Sequence, residues 1–216
     1  MTGRGVFITF EGGEGCGKST QQRLLARRIE AAGLAVRSLR EPGGTAVGEA
    51  VRSVVLDPEH TGLDAVAELL LYEAARAQLV GEVIEPALQG GEVVLCDRFF
   101  DSSTAYQGYA RGLPLDRIAA LNTIATGGLM PDRTLVLDLG AGLGVARATR
   151  EGADRLEGED IAFHERVRAG FLRIAADNPE RVRVIDASGD IETVAARIAL
   201  EIADLLPLSP EPGSPA

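Results

Sequence analysis

The sequence is poor in the residues that build disulfide frameworks and zinc sites. It has two cysteines and two histidines in 216 residues, too few for a set of disulfides and without the Cys/His cluster of a structural zinc site. It also lacks an apolar run near the ~20 residues that span a bilayer. The opening MTGRG leads into a predicted strand without a signal-peptide core. These absences predict a protein of the reducing cytoplasm with no membrane partner.

Basic charge is also scarce. The chain has 22 lysines and arginines against 32 aspartates and glutamates, a net charge of −10 at pH 7. Nonspecific binding of nucleic acid or anionic lipid requires a basic surface, so we expect no nucleic-acid partner. Any anionic ligand must therefore be held by local arginines. The length predicts a single domain, followed by a proline-rich tail, 207–216, whose composition predicts disorder.

A glycine-rich loop near the N-terminus is the most informative segment. The spacing G-x-x-x-x-G-K-S begins at Gly12, with an apolar strand pattern before it and a helical pattern after it. The glycines let backbone N–H groups point inward at a phosphate. Lys18 can reach the β- and γ-phosphates, and the Ser19 hydroxyl can bind Mg²⁺. A chance glycine-rich turn is the alternative, but the flanks favour a nucleoside triphosphate site. The predicted site comprises Gly12, Gly13, Glu14, Gly15, Cys16, Gly17, Lys18, Ser19 and Thr20.

The rest of the chain alternates short apolar segments with helical patterns and has no hairpin signal. This alternation predicts a five-stranded parallel sheet with helices on both faces, and ligands then lie beyond the carboxyl ends of the strands. Four loops leave those ends, namely the phosphate loop and residues 40–45, 97–98 and 188–189. Strands are predicted at 6–10, 34–39, 92–97, 133–139 and 182–186, and helices at 19–32, 46–56, 65–80, 102–108, 115–126, 143–150, 159–177 and 191–206.

Two charged residues end the third predicted strand. Asp97 is placed where a carboxylate can meet Mg²⁺, directly or through water. A helix cap is the alternative, but the phosphate loop in the same chain favours the metal. The planar guanidinium of Arg98 can bind two oxygens of a phosphate. Ser103 and Tyr106 follow one turn apart, near the same strand end.

Tyr72 and Arg76 lie four residues apart in a predicted helix and therefore share one face. A ring and a guanidinium so placed could clamp a nucleobase. The alternative is a half-buried tyrosine beside a surface arginine. Arg52 could likewise reach a phosphate or simply interact with solvent.

Three arginines follow the fourth predicted strand in the pattern R-x-x-R-x-x-x-D-R-x-E, namely Arg147, Arg150 and Arg155. Mixed charges of this kind usually form a solvated surface with weak pairs. The sharper interpretation is a lid that brings arginines over transferring phosphates, with Arg155 pairing with Asp154 or Glu157. The two histidines, His60 and His164, are expected on the surface.

Taken together, several segments resemble the bacterial type of thymidylate kinase. The arrangement DR, then S-S-x-A-Y-Q-G, with REPGGT upstream, is much more specific than the loop alone. The resemblance implies a P-loop nucleoside monophosphate kinase fold over 1–206 with a lid at about 147–158, Mg²⁺-dependent transfer of the ATP γ-phosphoryl to dTMP, and a homodimer. The matching segments are FEGGEGCGKST, REPGGT, EAAR, DRFFDSSTAYQGYARG, PDRTLVLDL, RATREGADRLEGED and FHERV.

The resemblance also implies a role for individual positions. Because Gly15 leaves the phosphate loop without a basic residue, Arg147 and Arg150 would supply that charge. The other implied roles are Glu14 near the acceptor sugar, Arg52 and Arg98 at the dTMP phosphate, Tyr72 on the thymine ring, Arg76 at its O4, Ser103 near its N3 and Tyr106 against the sugar 2′ position.

Two other functions are compatible with these patterns. One is a kinase of the same fold that acts on dUMP, dCMP or a deoxynucleoside. The other, from a different class, is a nucleotide-dependent switch ATPase that turns over without an acceptor. A GTPase would carry the base motif N-K-x-D, which the sequence lacks.

Overall fold

The computed structural model describes residues 3–148, 155–206 and 208 of the chain. The strands in this part are β1 Phe7–Glu11, β2 Val36–Arg40, β3 Val93–Asp97, β4 Arg133–Asp138 and β5 Val182–Asp186. They form one parallel sheet in the order β2-β3-β1-β4-β5, which confirms the predicted α/β fold. The strand order reverses at β1, and sheets of this kind bind ligands beyond the carboxyl ends of the strands at that point.

The helices lie close to the predicted segments, but several of their bounds differ and two segments are of another helix type. Val80–Ile84 and Thr104–Ala110 are π-helical, a wide turn that often occurs at functional sites. An α-helix resumes at Glu85, just before Pro86, and the last helix ends at Glu201 rather than at 206. The α-helices of the described residues are α1 Lys18–Ala31, α2 Ala46–Val55, α3 Ala65–Leu79, α4 Glu85–Gln89, α5 Phe100–Ser103, α6 Leu115–Thr126, α7 Ala141–Ala148, α8 Ile161–Asp177 and α9 Ile191–Glu201. None of these is both long and apolar enough to span a membrane.

The core lies on both faces of the sheet. Four consecutive apolar residues of β3 are buried, as expected for a parallel strand covered on each side. Helices α1 and α9 pack against one face, while α8, α4 and the two π-helical segments pack against the other. Leu208, in the segment predicted to be disordered, packs against the α1–α9 cluster. Residues 207 and 209–216 lie outside the described part of the chain.

The pairing of β1 with β3 brings two distant segments to one point. Phe10 pairs with Asp97, and the amide of Arg98 donates to the carbonyl of Phe10 at 2.9 Å. The phosphate loop leaves β1 at this level, and Asp97 and Arg98 leave β3 beside it. The register of two parallel strands therefore places Arg98 against the phosphate loop.

Candidate active site

A cavity of about 490 Å³ lies beyond the carboxyl ends of β1 and β3. It is lined by segments between residues 14 and 107, by Arg147 and Ala148 of α7, and by Leu156 and Glu157. The loop predicted at 188–189 is not among the lining residues. The predicted site residues that line the cavity are Glu14, Gly15, Gly17, Lys18, Ser19, Thr20, Arg52, Tyr72, Arg76, Asp97, Arg98, Ser103, Tyr106 and Arg147.

The phosphate loop has the backbone that its glycines predict at three positions. Gly12, Gly15 and Gly17 have φ values of 132°, 61° and 96°, a region in which residues with a Cβ are strained. Gly13 does not share this conformation. The Lys18 ammonium lies within the loop and donates to the carbonyl of Gly13 at 2.8 Å. Its charge is thus held at the start of α1, where a helix dipole also favours an anion.

Ser19 and Asp97 meet at the mouth of the loop. The Ser19 hydroxyl donates to the Asp97 carboxylate at 2.6 Å, so two oxygens of the type that Mg²⁺ prefers lie side by side. The described residues contain no group of three or more His, Cys, Asp and Glu side chains arranged for a metal. Mg²⁺ commonly takes one or two protein oxygens and completes its shell with substrate phosphates and water. The two side chains fit that pattern.

Arg98 joins the phosphate loop to the acceptor side of the cavity. It donates to the Glu14 carboxylate at 2.6 Å and to the Gly12 carbonyl at 3.0 Å. The Tyr106 hydroxyl donates to the same Glu14 oxygen at 2.5 Å. Burial would raise the pKa of Glu14, but the charges of Arg98 and Lys18 and the hydrogen bond from Tyr106 lower it to about 2. Glu14 is therefore ionised at neutral pH.

Arg98 is also held in an unusual backbone conformation. Its φ is 70°, a left-handed value that is uncommon outside glycine and typical of functional sites. The Arg98 guanidinium lies over the Tyr106 ring, 5.0 Å from its centroid. The chain accepts this local strain at the residue that was predicted to bind phosphate.

Arg76 lies at the closed end of the cavity and is only 1% exposed, so the alternative of a surface arginine is wrong. It contacts Glu41 through Nε at 2.9 Å and Glu73 through Nη1 at 2.6 Å. Nη1 also donates to the Ser103 hydroxyl at 3.0 Å. Burial raises the pKa of Glu41 to about 7, although the charge of Arg76 opposes the rise. The half-buried ring of Tyr72 lines the cavity one turn earlier on α3.

The structure gives a steric reason for glycine at position 15. A Cβ on Gly15 would lie 2.1 Å from the Gly144 carbonyl and 3.0 Å from the Arg147 Cβ. A Cβ on Gly144 would likewise lie 2.3 Å from the Glu14 carbonyl. The phosphate loop therefore packs directly on α7, which places the exposed Arg147 at the rim of the cavity. The other predicted catalytic arginine, Arg150, lies outside the described residues.

Two residues near the site have surroundings that the sequence did not predict. Arg155, predicted to pair with Asp154 or Glu157, donates to Glu68 and to the Val55 carbonyl, while Asp154 lies outside the described residues. His164 was expected on the surface, but it is 3% exposed. Its ring packs edge-on against Phe163 on α8, 5.6 Å between centroids. His60 is exposed, as expected.

Sequence reasoning missed Glu11, a fully buried carboxylate directly below the site. It accepts from the Phe99 amide at 2.8 Å and from the Ser102 hydroxyl at 2.6 Å. Ser102 in turn accepts from Arg98 at 3.2 Å. Burial raises the pKa of Glu11 to about 8, and the charge of Asp101 adds to the rise. An acidic residue at the end of an apolar strand is the sequence signal that could have identified it.

The raised pKa of Glu11 predicts a stability that falls as pH rises. The folded state keeps a proton up to about pH 8, whereas the unfolded chain releases it near 4.5, so stabilisation by this group is full below about pH 4.5 and is lost through pH 8. Glu11→Gln imitates the protonated acid, so the free energy of unfolding should fall less with pH in this variant, and the remaining slope is that due to Glu41. Urea unfolding at about pH 5.5 and 8.5 measures the difference in free energy. Glu49→Gln, at an exposed carboxylate whose pKa is lowered to about 2, should keep the full slope. An unchanged slope in Glu11→Gln would contradict the prediction.

The fold and the cavity define a P-loop nucleoside monophosphate kinase. The thymidylate kinase family model matches residues 10–198. A thymidylate kinase from Synechococcus sp. (strain JA-3-3Ab) is 56% identical over 195 residues, which is 89% of this chain and 93% of the relative. One from Citrifermentans bemidjiense is 50% identical over 202 residues, 90% of each chain. The chain therefore belongs to the thymidylate kinase family of phosphotransferases, and the resemblance drawn from its motifs is confirmed.

A solved structure supports the same assignment. The crystal structure of thymidylate kinase from Ehrlichia chaffeensis superposes with a TM-score of 0.75 at 36% identity. The match covers 92% of this chain and 99% of that one. The similarity thus extends over the fold as a whole and is not confined to the phosphate loop.

Proposed function

We propose that the protein transfers the γ-phosphoryl group of ATP to the 5′-phosphate of dTMP, giving dTDP and ADP. The observation that carries the proposal is the continuity of the cavity. The phosphate loop lies at one end, a buried arginine and a tyrosine ring lie at the other, and Arg98 lies between them. A triphosphate on the loop would then face a monophosphate whose base reaches Arg76.

The proposed roles follow from this arrangement. Lys18 contacts the β- and γ-phosphates of ATP, while Arg52 and Arg98 hold the acceptor phosphate. Tyr72 stacks on thymine, and Arg76 and Ser103 contact the edge of the base. Glu14 and Tyr106, which share a hydrogen bond of 2.5 Å, lie near the sugar. Arg147 and Arg150 supply positive charge to the transferring phosphoryl group.

In the reaction, an oxygen of the dTMP phosphate forms a bond to the γ-phosphorus while the bond from that phosphorus to the bridging oxygen of ADP breaks. The chain's own contribution is to align the two phosphates and to neutralise the charge that develops between them. Mg²⁺, held by Ser19 and Asp97, would add positive charge at the β- and γ-phosphates. Cavity walls that exclude water would prevent hydrolysis of the γ-phosphate.

A coupled assay of ADP release, with and without dTMP, tests the proposal. We expect rapid release with dTMP and Mg²⁺ and slow release without the acceptor. A panel of dUMP, dCMP and deoxynucleosides would identify a different acceptor for the same fold. ADP release that is independent of any acceptor would instead favour a switch ATPase.

We also propose that the protein is a cytoplasmic homodimer. Apolar side chains on α2 and α3 are exposed, among them Val47, Val54, Val66 and Leu70. An exposed apolar stripe on adjacent helices is a common feature of a subunit interface. Sedimentation at several protein concentrations measures the state of association.

The role of Arg76 gives a prediction about base selection. Arg76→Lys keeps a charge between Glu41 and Glu73 but removes the planar fork of donors. We expect KM for dTMP to rise about 10- to 100-fold, because an unpaired partner in a buried site costs about 1–3 kcal/mol. KM for ATP, measured in the same variant, should change less than about threefold. Equal increases for both substrates would show that Arg76 supports the fold and does not contact the base.

A further inference from the structure

Glu68 is a fully buried carboxylate that none of the roles above uses. It lies on α3 and accepts from Gln107 at 2.7 Å and from Arg111 at 2.8 Å and 3.1 Å. Arg155 donates to its second oxygen. Burial would raise the pKa of Glu68, but these hydrogen bonds and the charge of Arg111 outweigh the effect and lower it. Glu68 is therefore ionised inside the protein.

The partners of Glu68 come from two segments that line the acceptor end of the cavity, and Glu68 itself lies on a third, α3. Gln107 lines the cavity from the second π-helical segment. Arg155 is followed by Leu156 and Glu157, which also line it. Tyr72 and Arg76 lie four and eight residues after Glu68, and therefore on the same side of α3. The Glu68 carboxylate thus connects α3, the second π-helical segment and residues 155–157, which all contribute to the lining of the cavity.

Arg155 extends the same cluster to α2. Its Nε donates to the Val55 carbonyl at 2.8 Å, and its amide donates to the Leu56 carbonyl at 3.2 Å. These contacts fix the end of the helix that carries Arg52. Arg111 also contacts Glu159 at 2.8 Å, so two arginines and two carboxylates balance in charge. A buried cluster that is neutral and fully hydrogen-bonded can keep ionised groups out of water.

We propose that Glu68 is a positioning residue of the acceptor site. By holding Arg155 and Gln107 against α3, it sets where Leu156 and Glu157 close the cavity wall opposite Tyr72. Among the described residues, none of the phosphate loop contacts the Glu68 side chain, so the effect of Glu68 falls on the acceptor. The inference rests on the proposed function for the identity of that acceptor.

Glu68→Gln tests the proposal because it keeps the shape and presents an amide where an arginine needs an acceptor. We expect KM for dTMP to rise at least about tenfold, as for the loss of a buried charged hydrogen bond, and KM for ATP to change less than about threefold. The control is Arg133→Met. It breaks another ion pair of a buried arginine, 2.6 Å from Asp204, at the opposite end of β4. Its KM values should stay normal even where its stability falls.

The double variant Glu68→Gln/Arg155→Met tests whether the effect passes through Arg155. If it does, the double variant should have nearly the same KM for dTMP as Arg155→Met alone. Should Glu68→Gln fail to fold, Arg155→Met by itself still removes the contact and must raise KM for dTMP. A normal KM for dTMP in the folded variants, or equal rises for both substrates, would overturn the proposal.

The wild type in the same assay separates this inference from the proposed function. If it phosphorylates dTMP, the proposed function stands whatever the variants do. If it prefers another monophosphate, the proposed function fails, and KM for that acceptor becomes the value compared among the variants. Either result decides the role of Glu68.

Discussion

Replacing Lys18 by methionine should lower the rate of dTMP phosphorylation by about 10³-fold or more. Lys18 is 7% exposed, and its ammonium lies within the phosphate loop, 2.8 Å from the Gly13 carbonyl. Its charge is thus placed where the β- and γ-phosphates of ATP would lie. Removing a preorganised charge from a site of this kind costs several kcal/mol of transition-state stabilisation. Coupled ADP release with saturating ATP and dTMP measures the loss.

A matched control separates this effect from a change in the fold. Arg23→Met removes one positive charge from the exposed side of the same helix and should leave the rate unchanged. Lys18 is also the only lysine of the chain, so an ATP analogue with an amine-reactive group should label one internal site. A Lys18→Met variant that keeps more than about a tenth of the wild-type rate would contradict the proposed role of the loop.

The phosphate loop could be predicted from sequence because its parts are contiguous. The strand, the glycines, the lysine and the start of the helix lie within 20 residues, and each has a local conformational reason. The approach of Asp97 and Arg98 to this loop was predicted from a rule about strand ends. The register of β1 and β3 supplies the detail, since it pairs Phe10 with Asp97.

The buried carboxylates could not be predicted in this way. Glu11, Glu41 and Glu68 are buried only because their partners come from distant parts of the chain. The partner of Glu41 is 35 residues away, and those of Glu68 are 39 to 87 residues away. Carboxylates are rarely buried unless they are paired, and a single sequence does not show pairs at such separations.

Arg155 and His164 are two further residues whose surroundings a local sequence pattern does not predict. A local pattern assigns each polar side chain to the nearest opposite charge or to solvent. Arg155 forms an ion pair with Glu68, which lies 87 residues earlier in the chain. His164 is buried because α8 packs against the second π-helical segment and the sheet, and periodicity alone did not identify that side of the helix.

Arg98→Met should lower kcat with dTMP by about 10³-fold while leaving KM for ATP within about threefold. Arg98 contacts Glu14, Gly12 and Ser102. These contacts hold its guanidinium between the phosphate loop and the acceptor end of the cavity. An arginine that meets the charge of a transferring phosphoryl group can be worth about 10³ to 10⁵ in rate. Arg98→Lys should recover little of the rate, because an ammonium cannot hold two phosphate oxygens in a planar fork.

A second effect must be separated from catalysis. Without Arg98 the Glu14 carboxylate, 15% exposed, loses its closest charged partner, and breaking such a pair costs on the order of 2 kcal/mol or more. The double variant Glu14→Gln/Arg98→Met removes that unpaired charge and should regain stability in urea unfolding. We expect its kcat to stay low, because the phosphate still lacks its cation. Recovery of kcat together with stability would show that Arg98 serves only to neutralise Glu14.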